Sequence, residues 1–253
     1  VRSRRQRQMC IRDRSLSVYP EVIKAQTDLK IVYSPIHGTG VKLVPQVLKK
    51  FGFTNVHLVE EQATPDGNFP TVIYPNPEEA DALSIAVKKA TELDADLVMA
   101  TDPDADRVGI AVKNHKGEFQ LLNGNQTGSL LIYYLLNAWK EKNKLQGKEY
   151  IVKTIVTTDL IDTIAKSYGV ECFNTLTGFK FIAGKILELE GVKQFIGGGE
   201  ESYGYLVGDF VRDKDAIASC AFIAEMVAYA KAQEKSIFDV LLDLYVCLLY
   251  TSD

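Results

Sequence analysis

From Leu29 onward, short apolar runs alternate with longer amphipathic stretches, a pattern that few folds accommodate. LKIVYS predicts a strand, VKLVPQVLKKFG a helix, VHLVE a strand, and PEEADALSIAVKKATEL a helix whose Leu83, Ala86, Val87, Ala90 and Leu93 share one face. DLVMAT and VGIAVK predict two strands on either side of an acidic turn. The cycle restarts near residue 123 with helix NGNQTGSLLIYYLLNAWKEKN, strand YIVKTIVTT, helix DLIDTIAKSYG and strand VECFN. Helix GFKFIAGKILELEG, strand KQFIGG and helix AIASCAFIAEMVAYAKAQ complete it. Such alternation needs a largely parallel sheet covered by helices on both faces. The expected fold is α/β: two consecutive α/β domains, each a mixed, mostly parallel sheet flanked by helices. No repeat, low-complexity tract or Pro/Gly/Ser linker divides the chain. The boundary therefore falls in NHKGEFQLLNGNQ, giving domains over residues 28–122 and 123–245.

The 253 residues leave room for two cores and make four unlikely. With 46% hydrophobic and 25% charged residues, disordered and fibrous classes are excluded. The longest uncharged apolar stretch, Ser129 to Trp139, is well short of the ~20 residues that span a bilayer, so no membrane association is expected. The net charge of −4 hides an asymmetry, because Val1 to Arg14 holds six arginines against one aspartate. The remainder carries −9, no footprint for nucleic acid. The Arg-rich start has two native readings, a nucleic-acid arm and a transit peptide. However, it begins with Val, lacks an apolar h-region, and QMCIRDR and the closing VCLLYTSD resemble translated sequencing-adapter ends. Residues 1–27 are accordingly expected to be a non-native or disordered leader plus linker, and residues 246–253 a non-native tail. Cys172 and Cys220 are isolated in apolar surroundings without CxxC spacing, which favours buried thiols in a reducing, cytoplasmic compartment over zinc.

The strongest chemical signal is Thr101-Asp102-Pro103-Asp104-Ala105-Asp106-Arg107 between two apolar runs. Pro103 favours a tight turn, so three carboxylates spaced two apart can converge. Their mutual repulsion calls for a hard cation, and oxygen-only ligands point to Mg²⁺; the plain alternative is a solvated acidic turn. An EF-hand needs Gly where Arg107 stands and Glu where Lys113 stands. A second cluster, Gly197-Gly198-Gly199-Glu200-Glu201-Ser202-Tyr203-Gly204, follows an apolar strand at the end where open α/β sheets bind ligands. If Glu200 to Ser202 is extended, those two side chains share a face and offer an acceptor and a donor to sugar hydroxyls; the alternative is a flexible turn. In Val211-Arg212-Asp213-Lys214-Asp215, Arg212 and Lys214 could hold a phosphate or be solvated, and Asp215 suits a helix N-cap. Thr177-Gly178-Phe179-Lys180 opens a helix where free N–H groups and Lys180 could meet an anion, although no Walker A loop is formed. His37-Gly38-Thr39-Gly40 lies at a phosphate-friendly strand-to-helix turn, but Leu43 stands at the third glycine of a dinucleotide fingerprint. His57 and His115 lack partners at metal-ligand spacing.

In this order, SPIHGTG, ATDPDADRVGIAV, TLTGFK, GGGEESYGYLVGDF and VRDKDA resemble the α-D-phosphohexomutases, the phosphoglucomutase and phosphomannomutase family. The resemblance covers about residues 28–245 and implies the second and third of the family's four domains. It implies that Asp102, Asp104 and Asp106 are Mg²⁺ ligands and that Arg107 lies beside the transferable phosphate. It also implies that Lys214 lies near the reacting oxygens, that Glu200 and Ser202 bind sugar hydroxyls, and that Thr177 and Gly178 belong to the loop distinguishing two substrate orientations. The family moves phosphate between the C1 and C6 oxygens of a hexose through a phosphoserine enzyme and a sugar bisphosphate. No T-A-S-H-N-P-like segment or Arg-x-Ser-Gly-Thr clamp is present, so a fragment without the phosphoserine is implied, inactive by itself. Glu-Glu-Ser-Tyr-Gly is closer to glucose-type members than to versions ending in Ser-Gly-His, which implies glucose 1-phosphate and glucose 6-phosphate as partners. Two alternatives are a haloacid-dehalogenase-like Mg²⁺ phosphatase with an acidic-loop nucleophile and a non-catalytic sugar-phosphate binding module.

Overall fold

The computed structural model describes residues 17–249. After α1 (Pro20–Ala25), a first sheet is built from β1 (Ile31–Ser34), β2 (Val56–Leu58), β3 (Leu97–Thr101), β4 (Val108–Lys113) and β5 (Phe119–Leu122). Its order is β2-β1-β3-β4-β5; β1 pairs parallel with β2 and β3, while β4 is antiparallel to β3 and β5. Helices α2 (Gly40–Phe51) and α3 (Ala80–Leu93) are its crossovers. Next come α4 (Gly124–Glu141) and a second sheet of β6 (Glu149–Thr154), β7 (Glu171–Thr175), β8 (Gln194–Gly199) and β9 (Tyr205–Val207). Its order is β7-β6-β8-β9, parallel except for β9. Helices α5 (Leu160–Ser167), α6 (Phe179–Glu188), α7 (Ala216–Ala232) and α8 (Ile237–Leu249) complete the described chain.

The period-2 alternation of each strand divides its side chains between two layers. Val32, Val98, Ala100 and Ala111 pack with Ala82, Leu83, Ala86 and Ala90 of α3. Ile31, Tyr33, Leu97, Met99 and Ile110 join a core that also takes in Val44, Val47 and Leu48 of α2. On the second sheet, Tyr150, Val152, Phe195 and Leu206 pack with Phe179, Ile182 and Ile186 of α6. Ile151, Ile196, Tyr205 and Val207 belong to the same core as α2. The two sheets therefore share one central layer of helices. α7 lies inside it, with thirteen of its seventeen residues buried, as expected of a helix apolar on all sides.

Local signals at the element ends match the sequence. Asn123 caps α4, its Oδ1 accepting from Gln126 N (2.9 Å) while Gln126 Oε1 accepts from Asn123 N (3.0 Å), a reciprocal capping box. Asp215 caps α7, accepting from Ile217 N (3.0 Å) and Ala218 N (3.1 Å). Differences arise where tertiary contacts outweigh pattern. The strand expected over YIVKTIVTT stops at Thr154, because Thr157 N donates back to Thr154 O (3.0 Å) and their hydroxyls bond at 2.7 Å. The leader expected over residues 1–27 is corrected for residues 18–25: Val18, Tyr19 and Ile23 are buried against α7. Helix α8 runs through Val246 to Leu249, with Leu248 packed on the core, so the expected tail starts inside a helix. Val1 to Arg14 lies outside the described residues.

Candidate active site

Asp102 to Arg107 turns at the carboxyl end of β3, beside the corresponding end of β1. Asp102 Oδ1 accepts from Asp106 N (3.0 Å) and Arg107 N (2.9 Å), and Ala105 takes the left-handed φ of 61° that folds the loop back. As a result, one carboxylate oxygen from each of Asp102, Asp104 and Asp106 lies within 4.8 Å of the others. Burial pushes the Asp102 carboxyl up to about 7; the N–H of Arg107 opposes this, and the Asp106 and Asp104 charges add to it. The set fits a hard cation in kind, three carboxylate oxygens on one loop, and Mg²⁺ at ~2.1 Å from each would draw neighbouring oxygens in to ~3.0 Å of one another. Arg107 lies against it, Nε 3.8 Å from both Asp102 Oδ2 and Asp106 Oδ1, with Nη1 3.8 Å from Glu78 Oε1.

The HGTG turn, expected to be phosphate-friendly, supports this loop. Thr39 N and Oγ1 both donate to Pro103 O, at 2.8 and 3.1 Å. A Cβ on Gly38 would lie 2.4 Å from Pro103 Cα, so only glycine permits the approach. His37 is buried, with Nδ1 3.0 Å from Thr64 O and Nε2 2.8 Å from Thr71 Oγ1.

The glycine-rich cluster leaves β8 and turns beside the acidic loop. Glu200 to Ser202 is a turn and not the extended segment that would set the two side chains on one face, and Tyr203 has φ 67°. Glu200 is buried and its Oε1 accepts from Gly178 N (2.9 Å), which joins the turn after β8 to the Thr177-Gly178 loop. Tyr203 O accepts from Val108 N (3.1 Å), and Ala105 O from Ala216 N (3.3 Å). Lys214 reaches across, Nζ 3.0 Å from Asp106 Oδ2. Three expected site residues remain apart from this convergence. Arg212 pairs with Glu190 at 2.5 Å, Lys180 Nζ sits 5.0 Å over the Phe181 ring, and Thr177 is exposed.

Sequence reasoning missed Glu201 and Lys153. Glu201 Oε2 accepts from Thr154 Oγ1 (3.0 Å) and Thr157 Oγ1 (3.1 Å), fastening the loop to the end of β6. Lys153 is fully buried and ion-pairs with Asp162 at 2.9 Å. Its only sequence signal was a lone cation inside the apolar run YIVKT.

Two family models match the chain: phosphoglucomutase/phosphomannomutase alpha/beta/alpha domain II over residues 14–117, and domain III over residues 123–245. The chain belongs to the phosphoglucomutase/phosphomannomutase family. A phosphoglucomutase of Staphylococcus haemolyticus is 41% identical over 220 residues, 87% of this chain and 39% of that protein. One from Staphylococcus aureus strain MRSA252 is 40% identical over the same shares. The chain thus spans about two fifths of the curated phosphohexomutases it matches. Solved relatives show the same fold. A phosphoglucomutase/phosphomannomutase family protein from Burkholderia thailandensis has TM-score 0.68 at 22% identity, over 85% of this chain and 42% of its own. The Paramecium phosphoglucomutase pp63/parafusin has TM-score 0.67 at 19% identity, over 94% of this chain and 40% of its own. Among the described residues, no helix of this phosphohexomutase-family chain is long and apolar enough to cross a membrane.

Proposed function

We propose that this chain is the metal-binding and sugar-recognising centre, residues 28–122 and 123–245, of a cytoplasmic phosphohexomutase of the phosphoglucomutase type. Its substrates are hexose phosphates, glucose 1-phosphate and glucose 6-phosphate first. Asp102, Asp104 and Asp106 hold Mg²⁺, which supplies Lewis acidity to a phosphoryl oxygen when bound. Arg107, already within 3.8 Å of Asp102 and Asp106, faces the transferable phosphate. Lys214 serves the reacting oxygens, Glu200 and Ser202 bind sugar hydroxyls, and Thr177 and Gly178 sense the orientation of the sugar. Lys180 and Arg212 are left to attract the non-reacting phosphate. The phosphoserine belongs to chain outside this sequence, since no T-A-S-H-N-P-like segment occurs here.

One observation carries the reading: Lys214, from the loop before α7, meets Asp106 of the acidic loop at 3.0 Å, which sets sugar-type and metal-type motifs around one space. Family membership also displaces the haloacid-dehalogenase-like phosphatase. Calorimetry tests the proposal. Mg²⁺ should bind weakly to the parent chain and more weakly still to Asp104→Asn, and glucose 1-phosphate should bind less well to Glu200→Gln. Equal Mg²⁺ affinity in parent and Asp104→Asn would remove the metal assignment. A coupled assay should show negligible glucose 6-phosphate formation by this chain; robust turnover would refute placing the phosphoserine elsewhere.

A further inference from the structure

The acidic loop already has cations against it. Asp102, Asp104 and Asp106 bring three carboxyl groups, and two positive groups face them, Arg107 and Lys214. Both oxygens of Asp106 are engaged: Oδ1 is 3.8 Å from Arg107 Nε and Oδ2 is 3.0 Å from Lys214 Nζ. Glu78, on the outer side of Arg107, gives that guanidinium an alternative partner at 3.8 Å. A divalent ion on Asp106 therefore meets an ammonium bound to the same carboxylate, and like charges so close repel strongly.

We propose that Lys214 is a resident counter-ion of the acidic loop, which a divalent cation displaces from Asp106 and so releases toward the sugar phosphate. This rests on the metal reading given above and deepens it, because it makes cation binding the event that frees a positioning group.

The surroundings of Lys214 allow its side chain to swing and its backbone to stay. On its carboxyl side, Asp215 N donates to Tyr205 O (3.0 Å), Ala216 N to Ala105 O (3.3 Å), and the Asp215 carboxylate caps α7. The four-carbon stem lies over Gly204, where an added Cβ would come within 2.3 Å of Lys214 Cδ. That same point is 3.6 Å from Glu200 Oε2, so the stem passes between the metal loop and the carboxylate assigned to the sugar. An ammonium leaving Asp106 thus has Glu200, and any phosphate bound beside it, as its next partner. The charges agree with this order. The carboxyl groups of Asp102, Asp104, Asp106 and Glu78 outnumber the two cations, Arg107 and Lys214, so the site carries an excess of negative charge that a divalent ion offsets, and a phosphate then meets less repulsion.

Two readouts test the proposal on the full chain. The first is per-residue acylation by an amine-selective ester, read by mass spectrometry with and without Mg²⁺. Lys214 should become severalfold more reactive with Mg²⁺, Lys235, an exposed lysine paired with Asp243, should not change, and Asp104→Asn should show no effect. The second is calorimetry: Lys214→Met removes the competitor and should bind Mg²⁺ roughly fivefold more tightly, the equivalent of a partly exposed ion pair, while Lys214→Arg should keep the parental affinity. If Mg²⁺ binds the parent and either readout stays at its parental value, the displacement is wrong although the metal site stands. If Mg²⁺ fails to bind, or binds Asp104→Asn equally, the metal reading falls and this one with it.

Discussion

Replacing Glu225 with alanine should loosen residues 18–25 from the rest of the molecule. Glu225 is fully buried on α7, and its Oε1 accepts from Val18 N (2.8 Å), Tyr19 N (2.7 Å) and the Tyr134 hydroxyl (2.7 Å). The backbone donors lie just before α1, so a carboxylate from a distant helix ties the chain down where that helix begins. Hydrogen bonds to a charged group contribute ~1.5–3 kcal/mol each, so three set a ceiling of ~5–9 kcal/mol. The variant will not reach it. Once the segment lifts, Val18 N and Tyr19 N regain water, and the ordering entropy of a few residues is recovered while the burial of Val18, Tyr19 and Ile23 is lost. A net loss of about 3–5 kcal/mol is expected, read as ΔG in urea by far-UV circular dichroism. Hydrogen exchange of the amides of residues 18–25 should quicken with it. Tyr134→Phe removes one donor alone and should cost about 1 kcal/mol, and Glu225→Gln, which keeps the accepting oxygen, should cost less than alanine. A Glu225→Ala loss within about 0.5 kcal/mol, or unchanged exchange in this segment, would refute the reasoning.

Asp102→Asn should stabilise the metal-free chain by about 1–2 kcal/mol near neutral pH. The folded carboxyl is raised to about 7 from 3.8, so stability falls as pH rises between those values; thermal melts with chelator should show the gain vanish near pH 4, and a gain independent of pH would contradict it. Glu149 has the opposite sign. Its burial is outweighed by N–H groups of Gln146, Gly147 and Lys148 at 2.9–3.1 Å, which hold its pKa below 4.5, so its contribution is present above that value and is lost as pH falls through the lowered one. Glu149→Gln should cost about 1–2 kcal/mol at neutral pH and little under acid; a deficit constant with pH would count against the assignment. Gly38→Ala, with a Cβ 2.4 Å from Pro103 Cα, should weaken Mg²⁺ binding by shifting the acidic loop, and parental affinity by calorimetry would show the loop indifferent to its support.

What was legible in the sequence, and what was not, follows from how far each residue's partner lies along the chain. The α/β alternation, the cap at Asp215 and the acidic turn depend on neighbours within a few positions, so pattern and turn chemistry suffice for them. β9 is only three residues long and pairs at the edge of its sheet with Gly197, Gly198 and Gly199, where no side chain reports the ladder. Residues 18–25 were read as linker because their retaining contact is Glu225, more than two hundred positions away, and an apolar pattern does not show that a buried carboxylate waits for two N–H groups. The same distance governs the site. Each motif was visible alone, but the tie between Lys214 and Asp106 spans 108 positions and depends on both sheets packing on one shared layer of helices. Arg212, two residues from Lys214, illustrates the converse: residue type and spacing alone do not separate the two cations, and the turn before α7 sends one to Asp106 and the other to Glu190.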